Sequence, residues 1–559
     1  MRIKKFTIGI VGIILLGMAI FAKQMGIDND SEWGKGRIII FGLGIILISV
    51  NFLSILFQSQ LLKLAKRTSD LFKRFNELNY SSQLVTFSVV TTVAVIAIYI
   101  WLFLPFWRLS PTSNFYSQLA IAFKRNQLYL PEQPPPSLLA LSDPYDYESR
   151  KQIDSDFTWD VSLYNGKFYM YWGPVPSLFL TLFSNEQLSH LGDQYVFFLF
   201  ICGLFIYSAL FLASFWNRFN HSLPTWTISI CLLAIGLSGP TIWLFTRPRI
   251  YEAAVVGCQF FFIGGCYWAY SAMKDNSPNL WKLALASSHW ALALGTRILI
   301  VPVIIFLTGL TLIYHLRTTE MVTFKKKILT ILALIAPIFI TLTGLGLYNW
   351  LRFDSIFEFG LRYQLASVNY KEFTNLFSAR YIDDNFFNYF IQPFKIQSKF
   401  PYLRPIENVA SSERLAGLLY TTPFFLFVLI PMGRFLYLSL TSRKIPIVNP
   451  NTSAQRSWLV TALTGSALIS LAIILSYYFV ALRFAEDFMP ATLLIAIIWF
   501  GQGYDLFAGN RILSKSYLLF ATLLVVFSVI ASVLIAIPIN RTGYALLLIK
   551  YIQQFLGVR

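Results

Sequence analysis

A series of about thirteen nearly unbroken apolar runs decides what this chain can fold into. They lie at approximately 6–22, 37–57, 84–107, 194–216, 224–245, 251–273, 283–296, 298–314, 328–348, 415–440, 457–480, 488–506 and 517–538. Each crosses, or nearly crosses, a hydrocarbon layer about 30 Å thick if it is helical. The two-residue alternation of a barrel strand is missing. Spanning backbone must then satisfy its own N–H and C=O groups within helices. The pair 283–296 and 298–314 is short and flanks Arg297, so one long kinked element is an alternative there. With 56% hydrophobic and 13% charged residues, too little polar surface is left to coat a water-soluble globule. The expected fold class is an all-α polytopic membrane protein.

The net charge of +18 does not point to nucleic acid, because the basic residues form no contiguous stripe. They collect in short loops and report topology instead. Arg2, Lys4 and Lys5 precede the first run. Lys63, Lys66, Arg67, Lys73 and Arg74 lie in 58–83, Lys325 to Lys327 follow 298–314, Arg443, Lys444 and Arg456 lie in 441–456, and Arg511 and Lys515 in 504–516. Thirteen spans put all of these on one side, with the N-terminus cytoplasmic and the C-terminus outside. Met18-Ala19-Ile20-Phe21-Ala22 is a poor cleavage site, so the first run reads as an anchor. Segments 108–193 and 349–414 become long outer loops. Residues 174–185 are too few to span and read as an interfacial helix started by Pro174 and Pro176. The chain divides into 1–83, two spans and a basic loop; 84–506, the transmembrane core with both outer loops; and 507–559, a last span and an outer tail. No internal repeat is visible, which weighs against a repeat-built transporter.

Four cysteines, Cys202, Cys231, Cys258 and Cys266, fall inside apolar runs, and four histidines are scattered, so neither a disulfide framework nor a zinc site is indicated. Asp154-Ser155-Asp156 has the spacing of a nucleotide-sugar metal motif but reads as a solvated turn outside the cell, and Asn451-Thr452-Ser453 matches a glycosylation-acceptor pattern but falls in a loop assigned to the cytoplasm, so it carries no functional reading. Gly344 and Gly346 are expected to serve helix packing.

Ionisable residues near membrane depth are costly and are functional candidates by default. They concentrate at the outer helix ends: Arg247, Arg249 and Glu252 in TRPRIYEAA, Arg297 in ALGTRILIVP, Asp354, Glu358 and Arg362 in RFDSIFEFGLRYQLA, and Arg483, Glu486 and Asp487 in LRFAEDFMP. Asp160, Lys167 and several tyrosines in WDVSLYNGKFYMYWGP join them from the first loop. Guanidinium forks match phosphate oxygens, a carboxylate serves as general base, and aromatic faces stack on sugar rings. The set therefore suits recognition of a lipid phosphate together with proton abstraction from an acceptor hydroxyl. Alternatively, such residues pair with one another or with lipid head groups.

The blocks NFYSQLA, DVSLYNGKFYMYWGPVPSL, RPRIYEAA, RFDSIFEFGLRYQLA and RFAEDFMPATLL resemble, as a series, a bacterial group of GT-C glycosyltransferases. These are multi-spanning enzymes that use polyprenyl-phosphate-linked sugars. The resemblance covers roughly residues 84–506. It implies a large first outer loop with a catalytic acid, a Pro-aromatic turn at Tyr171-Trp172-Gly173-Pro174-Val175-Pro176, inversion at the anomeric carbon, and residence in a bacterial cytoplasmic membrane. One departure matters: Asn114 stands where many GT-C enzymes have a catalytic Asp, and an amide is no base at neutral pH.

On this reading Asp160 deprotonates or orients the acceptor and Asn114 positions it. Arg247, Arg249, Arg297 and Arg483 hold the donor phosphate. Glu252 and Asp487 fix those arginines or bind a divalent cation, the one candidate cofactor, while Tyr169, Glu358 and Arg362 support acceptor binding. The partners are a polyprenyl-phosphate-linked sugar and a glycan, lipid or protein acceptor, with no nucleic acid. A transporter or flippase of a lipid-linked or anionic solute, or a non-catalytic scaffold, are the rival expectations.

Overall fold

The computed structural model describes residues 7–22, 25, 35–56, 78–107, 111, 113–153, 157–219, 222–273, 277–318, 323–373, 375–398, 402–408, 411–433 and 450–536. The Asp154-Ser155-Asp156 turn, the basic residues of 58–77, Arg443 and Lys444, and the 537–559 tail lie outside the described residues, as do the side chains of Asn451-Thr452-Ser453.

The chain is a mostly helical, polytopic membrane protein. Among the described residues, eight helices are long and apolar enough to cross a bilayer, and Val11–Ile20, Ile39–Ser49, Thr227–Leu237 and Pro423–Gly433 are shorter apolar helices. Ile250–Ala272 lies at the centre, packed between Asp193–Phe219 and Leu280–Thr296, and the latter packs in turn on Phe324–Phe353. Val301–Thr318 lies against Pro450–Ser476. The outer surface of Phe324–Phe353 is apolar and exposed at Phe339, Ile340 and Leu347, as a lipid-facing helix requires.

Two of the apolar runs are broken, and the pair flanking Arg297 forms two separate helices. The 224–245 run forms two helices, Thr227–Leu237 and Gly239–Leu244, because Ser238 is extended (φ −93°, ψ 167°) ahead of Gly239-Pro240. Proline supplies no N–H to continue the ladder, and the glycine beside it weakens the helix further. The 415–440 run starts as a strand at Arg414–Leu415, then makes the short helix Leu418–Thr421 and a 3₁₀ segment Pro423–Leu429. Residues 434–440 lie outside the described set. Between Leu280–Thr296 and Val301–Thr318, Arg297 is extended (φ −153°, ψ 114°), so these are two helices rather than one kinked one. Gly344 has nothing within 4 Å of a would-be Cβ, and Gly346 has only Ile356 at 3.8 Å, so neither packs against another helix among the described residues.

In the first long loop, Ser162–Tyr164 and Lys167–Tyr169 form a hairpin closed by Asn165 and Gly166, both at positive φ (46° and 69°). That is the backbone an Asn-Gly turn favours. Pro174 and Pro176 start a short helix at Val175–Leu180, with a second at Asn185–His190. Gly173 docks this turn onto the core: a Cβ there would lie 2.2 Å from the Gly295 carbonyl oxygen and 2.5 Å from that of Thr296. The Pro-aromatic turn thus rests directly on the helix end that precedes Arg297.

Candidate functional site

Five separate segments converge on Asp160. Its own backbone is left-handed (φ 59°), and its N–H bonds to Leu365 O at 3.2 Å. The Tyr251 hydroxyl, from the first turn of Ile250–Ala272, donates to Asp160 Oδ2, and Gln364 Nε2 donates to Oδ1 at 3.1 Å. Burial raises the Asp160 carboxyl above its ordinary range. The Gln364 hydrogen bond and the charges of Arg483 and Arg150 oppose that rise.

Tyr251 connects this carboxylate to the arginines. The Arg483 guanidinium lies 4.9 Å from the Tyr251 ring centroid and 5.0 Å from that of Phe484. The Arg297 guanidinium lies 5.2 Å from the same Phe484 ring. Arg483 Nη1 pairs with Glu413 Oε1 at 2.7 Å, and Arg297 Nη1 with Asp487 Oδ1 at 2.6 Å. The four side chains are between 13% and 22% exposed, so both pairs are shielded but not sealed. Glu252 is buried beside Arg483 and caps its own helix by accepting from Arg249 N at 3.2 Å. Burial also raises the Asp487 carboxyl, against the pull of Arg297, and its Oδ2 has no hydrogen-bond partner. Trp172 stacks on Tyr171 (4.0 Å), meets Tyr251 edge-on (5.4 Å) and touches Phe115 (5.2 Å).

Of the residues singled out in the sequence, Asp160, Glu252, Arg297, Arg483 and Asp487 come together. Asn114 precedes Phe115–Lys124 without capping it; its Oδ1 accepts from Gln118 Nε2 at 2.7 Å. Asp193 caps that helix instead, accepting from Phe115 N at 3.0 Å and Tyr116 N at 3.1 Å. Arg247 and Arg249 are exposed at the start of Ile250–Ala272 and make no ion pair among the described residues. Tyr169 packs on Phe353 (5.3 Å) and Tyr129 (6.3 Å) rather than on Tyr251 or the arginines. Glu358 accepts from Gly360 N at 2.6 Å within its own turn, and Arg362 is exposed. Among the described residues no group of three His, Cys, Asp or Glu side chains is placed to hold a metal.

Four contributors were not singled out. Tyr251 and Gln364 contact Asp160 directly, Glu413 pairs with Arg483, and Arg150 lies buried beside Trp159 (5.4 Å) with its charge felt at Asp160. Tyr251 and Gln364 do lie inside the blocks RPRIYEAA and RFDSIFEFGLRYQLA. Glu413 carries no local signal.

No family model matches the chain, and neither curated proteins nor solved structures yield a match.

Proposed function

We propose that the chain is a GT-C-type glycosyltransferase that moves a sugar from a polyprenyl-phosphate donor to a lipid, glycan or protein acceptor. The reaction is placed at the outer face of a bacterial cytoplasmic membrane. The observation that carries this reading is the meeting of Asp160 with Arg483 and Arg297, from three distant segments, around Tyr251 and Phe484. A raised, hydrogen-bonded carboxylate suits a general base or an orienting group for an acceptor hydroxyl. Two guanidiniums that share the Phe484 ring as a neighbour suit a donor phosphate on which negative charge grows as the anomeric bond breaks. Arg247 and Arg249, exposed at the same helix start, suit a first contact with lipid phosphate. Asn114, an amide that cannot serve as a base, accepts from Gln118 and is kept as a positioning group.

A second reading has one observation in its favour. Arg297 and Arg483 already have carboxylate partners, as they would in a non-catalytic scaffold.

The discriminating experiment deletes the gene and compares lipid-linked glycans by mass, then complements with wild type and Asp160→Asn. The expected outcome is a missing glycan that wild type restores and the variant does not, since a general base contributes about 100- to 10,000-fold in rate. Purified Asp160→Asn protein turning over the lipid-linked sugar within about twofold of wild type would remove Asp160 from the reaction.

A further inference from the structure

Glu486 stands one residue before Asp487 but faces the other way, into the helical core. It is 2% exposed, makes no ion pair among the described residues, and its Oε2 lacks a hydrogen-bond partner. With Tyr99, Ser208 and Thr241 it lines a small cavity; the rest of the lining is apolar. Ser208 is 1% exposed and its Oγ is also without a partner. The Tyr99 hydroxyl donates to Gly236 O at 2.6 Å and keeps its lone pairs, and the Thr241 hydroxyl faces the Glu486 carboxylate.

These four groups come from four elements: Tyr80–Phe103, Asp193–Phe219, Gly239–Leu244 and the 3₁₀ turn Leu482–Asp487. A lone carboxylate in an apolar interior either keeps its proton or takes a cation, because the bare charge is too costly to bury. The donor set decides which cation fits. All the donors are oxygens, which selects hard ions over zinc or copper. One formal negative charge balances one positive charge and would leave a calcium or magnesium ion uncompensated. Calcium also takes six to eight oxygen ligands, more than these four groups supply.

We propose that Glu486, Ser208, Thr241 and Tyr99 form a binding site for one small monovalent cation of the sodium class. The cation would pin the turn that carries Arg483 and Asp487 to three membrane helices. This inference stands independently of the transfer reaction.

The test is radioactive sodium binding to the purified full chain in detergent, with choline chloride holding the ionic strength constant, alongside thermal unfolding in the same two salts. One saturable site per chain is expected, together with a rise in unfolding temperature in sodium over choline. Glu486→Gln should abolish both while unfolding in choline at or above the wild-type temperature, since a neutral amide needs no counter-ion. Ser208→Ala should weaken binding roughly tenfold. Absence of saturable sodium binding, leaving Glu486 simply protonated, would overturn the proposal. So would binding that Glu486→Gln leaves intact.

Discussion

Replacing Gly173 by alanine tests the docking that positions the site, and it needs no substrate. The added Cβ would sit 2.2 Å from the Gly295 oxygen, 2.5 Å from the Thr296 oxygen and 2.6 Å from the Thr296 carbonyl carbon. A relaxed contact is about 1 Å longer than the shortest of these. No rotamer relieves the clash, because all three atoms are backbone. Gly295 is equally crowded from the other side, where a Cβ would lie 2.3 Å from Val175 Cγ2. The Pro-aromatic turn must therefore lift off the helix end, taking Trp172 from Tyr251 and disturbing Arg297 one residue further on. Overpacking of this kind costs about 1–3 kcal/mol, and backbone against backbone belongs at the upper end. Unfolding entropy of about 2.1 cal/mol/K per residue over the 559-residue chain makes 1 kcal/mol worth about 1 °C, so unfolding should fall by roughly 2–3 °C. Tryptophan fluorescence of detergent-solubilised protein, at one fixed scan rate, reads it. The control is Gly344→Ala, a helix-interior site with nothing within 4 Å, where alanine should gain about 0.5–1 kcal/mol. If both variants unfold with wild type, the loop is not seated on the Gly295–Thr296 backbone and the assembled site loses its basis.

Because burial raises the Asp160 carboxyl, the native state holds that proton to higher pH than the unfolded chain does. Its contribution to stability therefore falls as pH rises from the ordinary carboxylate range to the raised native one, and is flat above. Asp160→Asn lacks this fall, so its unfolding temperature relative to wild type should climb with pH across that window; a constant difference would contradict the assignment. Orientation is tested by cysteine labelling in intact cells, with an impermeant reagent expected to modify a cysteine placed at Ser142 and not one at Ser69. The opposite pattern would invert the topology.

Hydropathy made most of the long helices legible. The runs 194–216, 251–273 and 488–506 correspond to Asp193–Phe219, Ile250–Ala272 and Met489–Phe507. It could not register backbone breaks, because Ser238-Gly239-Pro240 and Thr421-Thr422-Pro423 are apolar enough to average into their surroundings. The punctuation was there to read, as was Asn165-Gly166, the strongest short-range hairpin signal. At the site, charge rarity near membrane depth was enough to mark Asp160, Arg297, Arg483 and Asp487. Their partners were hidden for a different reason: Tyr251, Gln364 and Glu413 reach them across 91, 204 and 70 residues, and a tyrosine or glutamine at a helix end or in a loop has no pattern of its own. Asp193, next to the 194–216 run, carries no local sign that it caps Phe115–Lys124, 77 and 78 residues away.

The two arginine pairs separate the enzymatic reading from the scaffold reading. If Arg483 is to hold a donor phosphate, Glu413 is the anion it must give up, and the two compete for one guanidinium. Glu413→Gln removes the competitor's charge and keeps its shape. Affinity for inorganic pyrophosphate, used as a probe of the phosphate site, should then rise by about tenfold, corresponding to about 1.4 kcal/mol of released competition. Stability should move the opposite way. Breaking a fully buried pair costs about 3–5 kcal/mol, and the 15% and 22% exposure of these side chains places the loss below that range. Arg483→Lys should show the complement, weaker pyrophosphate binding with normal expression, because an ammonium cannot make the forked contact. A structural ion pair predicts something else for Glu413→Gln: lower stability with no gain in affinity. That outcome would make Glu413 and Arg483 a strut between the second loop and the Leu482–Asp487 turn, and would leave Arg297 alone to carry the phosphate assignment.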